Sequence, residues 1–373
     1  MTMVANYSSA ESQATGTLTV LGLETSCDET AASVVRLSPD GEATVLSSVV
    51  HSQIDDHAAY GGVVPEIAAR SHVEMIDGVT RRAMADAGIG YDGLDGVAAT
   101  AGPGLVGGVM VGLSFGKAVA LARDLPLMAI NHLEGHAVSA RLGSRVAYPF
   151  LLLLVSGGHC QLLEVRGIGD MTRLGTTIDD AAGEAFDKIA KALGLGYPGG
   201  PALERLAATG DGSRFDLPRA LLGRKDCDFS FSGLKTAASR LAQACETDAD
   251  RADLADAVQT AIARQLSERS DRAMKAWAGA DRQLFVVAGG VAANGTVRAT
   301  LEATAAKNGF AFLAPPMAYC TDNAAMIALA GAERLQRGLI SGLDAAARPR
   351  WPLDEKSALD DPIHKAGRRG AKA

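Results

Sequence analysis

Asn131-His132-Leu133-Glu134-Gly135-His136 carries two imidazoles four residues apart. On a helix that spacing puts both on one face, one turn apart, which suits two ligands of a single metal ion. A peptidase of the His-Glu-x-x-His kind keeps its general base directly after the first histidine. Leu133 stands there and Glu134 is one place late, so that reading loses its catalytic residue. A pair that follows a short apolar strand favours a metal over two structural histidines. A third ligand is needed. Asp322, in the polar turn Cys320-Thr321-Asp322-Asn323, would complete a two-His, one-carboxylate set with open positions. Such a set leans towards iron(II), with zinc the other candidate. The same aspartate would serve as N-cap of a helix starting at Ala324, and the pattern leaves both roles open.

Other stretches carry chemistry of a different kind. Val155-Ser156-Gly157-Gly158-His159 joins two strands. Its amides and the Ser156 hydroxyl can hold phosphate oxygens, or it is a plain hairpin turn. Ala101-Gly102-Pro103-Gly104-Leu105-Val106-Gly107-Gly108 lies between a strand and a helix. It reads equally as an anion cradle or as glycines permitting close packing. The acidic run Asp179 to Lys188 opens a helix, with Asp187 one turn in. Tyr197-Pro198-Gly199-Gly200-Pro201 is a rigid turn that lets backbone approach a flat base. Ala288-Gly289-Gly290-Val291-Ala292-Ala293-Asn294 follows a strand, and Asn294 can both donate and accept. Asp28 and Glu29, at the tip of the first hairpin, are candidates for a general base, against the plainer role of turn-forming acids.

The elements that position these residues fall into two similar halves. Strands are expected at 18–25, 31–37 and 44–50, then a helix at 66–87, a strand at 96–100, a helix from about 109 to 123 and a strand at 127–130. The pattern restarts with strands at 149–155, 159–165 and 171–175, a helix at 183–193, and strands at 283–287 and 311–313. Each half begins with a hairpin whose tip is polar or glycine-rich. Between the later elements, 201–279 is Ala-rich and reads as a helical insertion. A helix at 324–335 is placed to cross back to the first half.

Composition bounds the class. The 373 residues allow two domains, and 47% hydrophobic residues supply a large core. Forty-two glycines with 5% aromatics fit an α/β enzyme built around ligand turns. A formal net charge of −7 argues against a generic nucleic-acid binder but permits a local basic patch. The densest basic stretch is Arg214, Arg219, Arg224 and Lys225, beside Phe229 and Phe231. Five scattered cysteines without a Cys-x-x-Cys pair imply a reducing, cytoplasmic setting. No stretch of about 18 apolar residues is evident, so no membrane contact is expected. Residues 1–17 read as a disordered leader and 346–373 as a flexible tail.

Taken together, Glu24 to Thr30, Asn131 to His136, Val155 to His159, Asp179 to Lys188, Tyr197 to Pro201, Phe229-Ser230-Phe231-Ser232-Gly233-Leu234-Lys235 and Gly289 to Asn294 resemble the bacterial tRNA N6-adenosine threonylcarbamoyltransferases, once described as glycoprotein endopeptidases. The resemblance spans about residues 18–340, with the motifs in the family's order. It implies an α/β, actin-like and sugar-kinase-like (ASKHA) fold: two ribonuclease-H-like domains around a cleft. The first would comprise 18–130 plus about 324–345, and the second 131–323 with the insertion at about 201–279. It implies that His132, His136 and Asp322 bind one iron or zinc ion. Leu154, Val155, Ser156, Gly157 and Gly158 would contact the phosphate and acyl part of the substrate, and Asp187, Gly200 and Asn294 the nucleotide. Glu204 lies where some relatives place a ribose-binding Asp.

The implied reaction moves a threonylcarbamoyl group from threonylcarbamoyl-AMP, made by a separate synthase, to N6 of adenosine 37 in tRNAs reading codons that begin with adenine. The implied partners are tRNA, a catalytically degenerate paralogue and a small ATPase. The rival readings are a metallopeptidase of another class, a sugar-kinase-like phosphotransferase, and a non-catalytic scaffold that should lack the metal ligands.

Overall fold

The computed structural model describes residues 16–58, 60, 62–277 and 283–360. β1 (Leu18–Glu24), β2 (Glu29–Leu37) and β3 (Ala43–Ser52) form an antiparallel meander. α1 (Ile54–Ala58) and α2 (Pro65–Asp86) lead to β4 (Gly96–Gly102). α3 (Val106–Arg123) then leads to β5 (Leu127–Asn131), and α4 (His132–Val138) follows directly. β4 lies parallel to β1, and β5 parallel to β4, giving the order β3-β2-β1-β4-β5.

The second half repeats this plan. β6 (Phe150–Val155), β7 (Cys160–Gly167) and β8 (Asp170–Thr176) are an antiparallel meander. After α5 (Ala182–Ala192), α6 (Gly199–Ala207), α7 (Ser232–Ala242) and α8 (Asp248–Ala276) comes β9 (Leu284–Ala288), parallel to β6. α9 (Gly295–Lys307) returns the chain to β10 (Ala311–Leu313), parallel to β9. The order β10-β9-β6-β7-β8 is the first sheet's order read from the other edge, so the coarse duplication in the sequence is a duplication of topology. The central β6, Phe-Leu-Leu-Leu-Leu-Val, is buried at every residue. A continuous apolar run is what a strand covered on both faces needs.

α10 (Ala324–Gln336) does cross back, and Ala324 to Glu333 are all buried against the first sheet. Its backbone rests on Gly22, where a Cβ would lie 2.4 Å from the Ala324 carbonyl oxygen. The halves are also pinned by charge. Glu134 is buried and accepts from Arg334 at 2.6 and 3.1 Å and from the Gly169 amide at 2.8 Å. Arg141 Nε and the Tyr148 hydroxyl each donate to Glu333 at 2.7 Å. Glu134 is therefore a structural anchor, unavailable as the base that a His-Glu-x-x-His peptidase would need.

Three expectations change. The stretch after Arg348 is tied down as far as α11 (Glu355–Asp360). The Arg348 amide donates to Ala101 O, Gly104 N donates to Pro349 O, Asn131 Nδ2 to Trp351 O, and Arg173 N to Asp354. Gly102, at φ +137, admits this segment, because a Cβ there would sit 1.8 Å from Arg348 O. The part of the expected tail beyond Asp360 and most of the expected leader lie outside the described residues. α3 is, among the described residues, one helix long and apolar enough to cross a bilayer. Ser114, Lys117 and Arg123 interrupt its apolar run, and in this fold its Gly108, Gly112 and Gly116 pack on Thr25 and Ala99. Within the insertion, 208–231 is irregular apart from one short turn of 3-10 helix.

Candidate metal centre and the cleft around it

β5 ends at Asn131, whose Oδ1 accepts from Leu133 N at 2.9 Å and caps α4. This places His132 and His136 on one helical turn, with ring centroids 4.7 Å apart in an edge-to-face arrangement. Asp322 reaches them from the turn before α10. Its Oδ1 lies 3.0 Å from His136 Nε2 and 3.5 Å from His132 Nε2. The ligand atoms of the three all fall within 4.8 Å of one another. Capping of α10 belongs to Asn323, whose side chain accepts from Met326 N at 3.0 Å. Asp322 is thus free for the histidines, the alternative that the sequence could not choose.

Behind His132 stands Glu24, which sequence reasoning quoted in a motif but gave no role. Its Oε2 lies 2.8 Å from His132 Nδ1. Thr100 Oγ1 and the Ser26 amide each donate to the same carboxylate at 2.6 Å. A carboxylate on the far nitrogen of a ligating histidine fixes its ring and raises its basicity. The available signal was a glutamate ending an apolar strand. Burial opposes charge on His132, but Asp322 and then Glu24 outweigh it and lift the imidazole well above its usual range. Burial likewise works against an ionised Asp322, and His132 overcomes it, so the carboxyl lies well below the usual carboxylate range. The field that holds a proton on His132 is one that favours a divalent cation, and two imidazoles with one carboxylate form a fitting donor set. Replacing Glu24 by Gln is expected to weaken metal affinity by about 10- to 100-fold with the fold retained. Metal titration of the purified variant checks this, and wild-type affinity would reduce Glu24 to a packing role.

In the second half, β6 and β7 are joined by the Ser156–His159 turn. Ser156 N donates to His159 O at 2.8 Å, and His159 N to Ser156 Oγ at 3.2 Å. The Gly157 and Gly158 amides take no part in those bonds, and a Cβ at either glycine would meet open space. Leu154 and Val155 are fully buried in the sheet, whereas Ser156 to His159 are half-buried or exposed. Gly289, at φ +99, brings the next turn onto this one; a Cβ there would sit 2.4 Å from Val155 O. Asn294 Oδ1 caps α9 at Val297 N (2.9 Å), and its buried Nδ2 has no hydrogen-bond partner among the described residues. An amide donor left so is costly unless a ligand accepts from it.

Asp187 accepts from Gly199 N at 2.9 Å. Burial pushes its carboxyl up, with the Gly199 and Gly200 amides pulling the other way. Glu204 accepts from Gly295 N at 2.7 Å, so it braces the Asn294 turn. From the first half, the buried Asp28 and half-buried Glu29 face this group. Burial, then the Asp322 and Asp28 charges, hold the Glu29 carboxyl well above the usual range. The Tyr197 phenol is raised by burial and by Asp28, Asp187 and Glu29 together. The acidic hairpin tip thus lies within electrostatic reach of Asp322, Asp187 and Tyr197.

Two other expectations resolve. The Gly102–Gly108 turn is a packing device. Gly104 N is taken by Pro349 O and Leu105 N by Ser26 O, and Thr25 Oγ1 donates to Gly108 O at 2.8 Å. The three arginines of the basic stretch are paired with carboxylates. Arg214 pairs with Asp250 and Asp253, Arg219 with Glu268, and Arg224 with Asp226 and Asp228. Phe229 and Phe231 are fully buried and offer no face to a base.

Comparison with known proteins points the same way. The profile of the family described as TsaD, tRNA N6-adenosine threonylcarbamoyltransferase, matches residues 44–329. The chain is 72% identical to the protein of that name from Caulobacter vibrioides, over 95% of this chain and 98% of the other. It is 58% identical to the one from Maricaulis maris, over 95% and 96%. Among solved structures, HypF of T. kodakarensis superposes with a TM-score of 0.56 at 17% identity, covering 86% of this chain and 48% of HypF, a likeness of fold alone. With a two-His, one-carboxylate cluster, the family profile over residues 44–329 and these relatives along nearly its whole length, the chain belongs to the tRNA N6-adenosine threonylcarbamoyltransferase family.

Proposed function

We propose that this protein transfers the threonylcarbamoyl group of threonylcarbamoyl-AMP to N6 of adenosine 37 in tRNAs reading codons that begin with adenine, releasing AMP. What supports the reading is the His132, His136 and Asp322 cluster, together with an open Gly157-Gly158 turn and an unpartnered Asn294 amide on neighbouring turns of the second half. A peptidase gives no role to that amide, and Glu134 is consumed by Arg334. A sugar kinase gives none to the histidines. In this reading the two sheets are the cores of two ribonuclease-H-like domains of the ASKHA class, 18–130 with about 324–345 and 131–323, and the cleft lies between them.

His132, His136 and Asp322 would hold one divalent ion, iron(II) in preference to zinc. When bound, such an ion supplies Lewis-acid stabilisation of phosphate or acyl oxygen. The chain's own groups do the rest. The Gly157 and Gly158 amides and Ser156 receive the phosphate and acyl oxygens as preorganised donors. Asp187, Gly200 and Asn294 receive the adenylate, with Glu204 holding the Asn294 turn in place. N6 forms a bond to the carbamoyl carbon, the carbon–oxygen bond to phosphate breaks, and AMP departs with the electron pair. The N6 proton passes to a carboxylate at the hairpin tip. Glu29 suits this best, because its raised affinity for protons makes it a stronger base than an ordinary carboxylate. Glu29→Gln is expected to lower kcat by about 100-fold or more with KM little changed, and Asp28→Asn to lower it less. The reverse order would move the base to Asp28.

The site would work in the cytoplasm, with a degenerate paralogue and a small ATPase as partners and a separate synthase supplying the adenylate. The deciding assay combines the protein and these partners with the synthase, threonine, bicarbonate, ATP and tRNA, followed by nucleoside analysis. Absence of threonylcarbamoyladenosine with every component present would remove the reading.

A further inference from the structure

The insertion carries a second cationic site, which shares Arg219 with the basic stretch of the sequence and adds cations from α8. A cavity of about 430 Å³ opens between the loop 219–223 and the later turns of α8, its charged lining being Arg219, Arg269, Arg272 and Lys275 with the acids Glu268 and Asp271. Arg269 is only 2% exposed. Its Nη2 donates to the carbonyls of Ala220 (3.3 Å) and Leu221 (2.9 Å), while its Nε is buried with no partner among the described residues. Arg272, one helical turn on, donates to the Asp226 carbonyl. Neither guanidinium forms a carboxylate pair among the described residues.

The acids close by are already engaged. Glu268 is held by Arg219, Asp226 by Arg224, and Asp271 by Lys275, Lys307 and Asn308. Burial and then the neighbouring Arg272 lower the proton affinity of Arg269, and the Asp226 and Glu268 charges offset this only in part. Surface pairs such as Arg219–Glu268 and Lys275–Asp271 are weak and exchange readily for a stronger anion. Arginine in a concave, partly desolvated site is a good match for a phosphoryl group.

We propose that this cavity binds a backbone phosphate of the RNA acceptor, anchoring it on the helical insertion at a distance from the chemistry. The assignment of the phosphate to RNA rests on the function proposed above. It also fits a chain of net charge −7, which must attract a polyanion through local sites.

Arg272→Gln and Arg272→Glu, made in the full chain, test this, with Arg269→Met as a third variant and thermal midpoints recorded for all. The probe is a tRNA transcript, titrated over a range of salt. Arg272→Gln is expected to weaken binding about five- to tenfold and to reduce the slope of log affinity against log salt by about 0.7 to 0.9, the loss of one phosphate contact. Arg272→Glu should weaken it further, with the affinity for threonylcarbamoyl-AMP unchanged. Wild-type affinity and slope in both Arg272 variants would overturn the proposal. So would protection of the cavity by inorganic phosphate or AMP with tRNA affinity unaltered, which assigns the site to a small free anion. A wild-type chain that makes no threonylcarbamoyladenosine but binds tRNA through Arg272 would instead retain the pocket and discard the function reading.

Discussion

Protein carrying both His132→Ala and His136→Ala is expected to lose its metal and its transferase activity together. Each imidazole sits against Asp322 Oδ1, at 3.5 and 3.0 Å. Removing both leaves a single monodentate carboxylate, too few donors to retain a divalent ion at micromolar concentrations. The drop in kcat/KM should be at least about a thousandfold, on the order of 4 kcal/mol of lost transition-state stabilisation. Asp322→Ala should follow the same course. It should leave α10 in place, because Asn323 and not Asp322 caps that helix. Metal analysis and circular dichroism on the same preparations separate loss of the ion from loss of the fold. Full transfer by a metal-free double variant would remove the ion from the mechanism.

The second large effect is expected at Gly289. Its φ of +99 is a conformation that β-branched residues avoid, and a Cβ would lie 2.4 Å from Val155 O and 3.3 Å from Ser156 Cβ. Gly289→Val must therefore push the Asn294 turn away from the Ser156–Gly158 turn. Strain and overpacking of this kind cost about 2–4 kcal/mol, and the separation of the two turns should abolish adenylate binding. Gly290→Ala is the contrasting change, since a Cβ there meets nothing within 4 Å. It should keep near-wild-type stability and a measurable affinity for the adenylate. A thermal midpoint for Gly289→Val equal to that of Gly290→Ala would show that the turns have room to part.

Much of this architecture was legible in one dimension. The strand and helix positions follow from periodicity because burial imposes it. The all-apolar β6 and the glycine-punctuated turns could hardly adopt another form. The His pair announced itself because i,i+4 spacing is a local property of a helix. The tail from Arg348 was misjudged for the converse reason. Its proline and charge content reads as loose, while the partners that hold it, Ala101, Gly104 and Asn131, lie more than 200 residues earlier.

The same division runs through the site. Sequence by itself determined the two-half α/β plan, the two histidines on one helical face, and a short set of candidate turns, because these depend on chain-local spacing; Asp322 it offered either as third ligand or as helix cap. Tertiary structure alone decided that Asp322 joins the histidines and Asn323 takes the cap, and that Glu24 backs His132. It likewise decided that Glu134 is spent on Arg334 and that the three arginines of the basic stretch at 214–225 are paired with carboxylates. Each of those outcomes is a competition between partners for one charged or polar group. Such a competition is settled by distance and desolvation in the packed protein, neither of which is a property of the chain read in order.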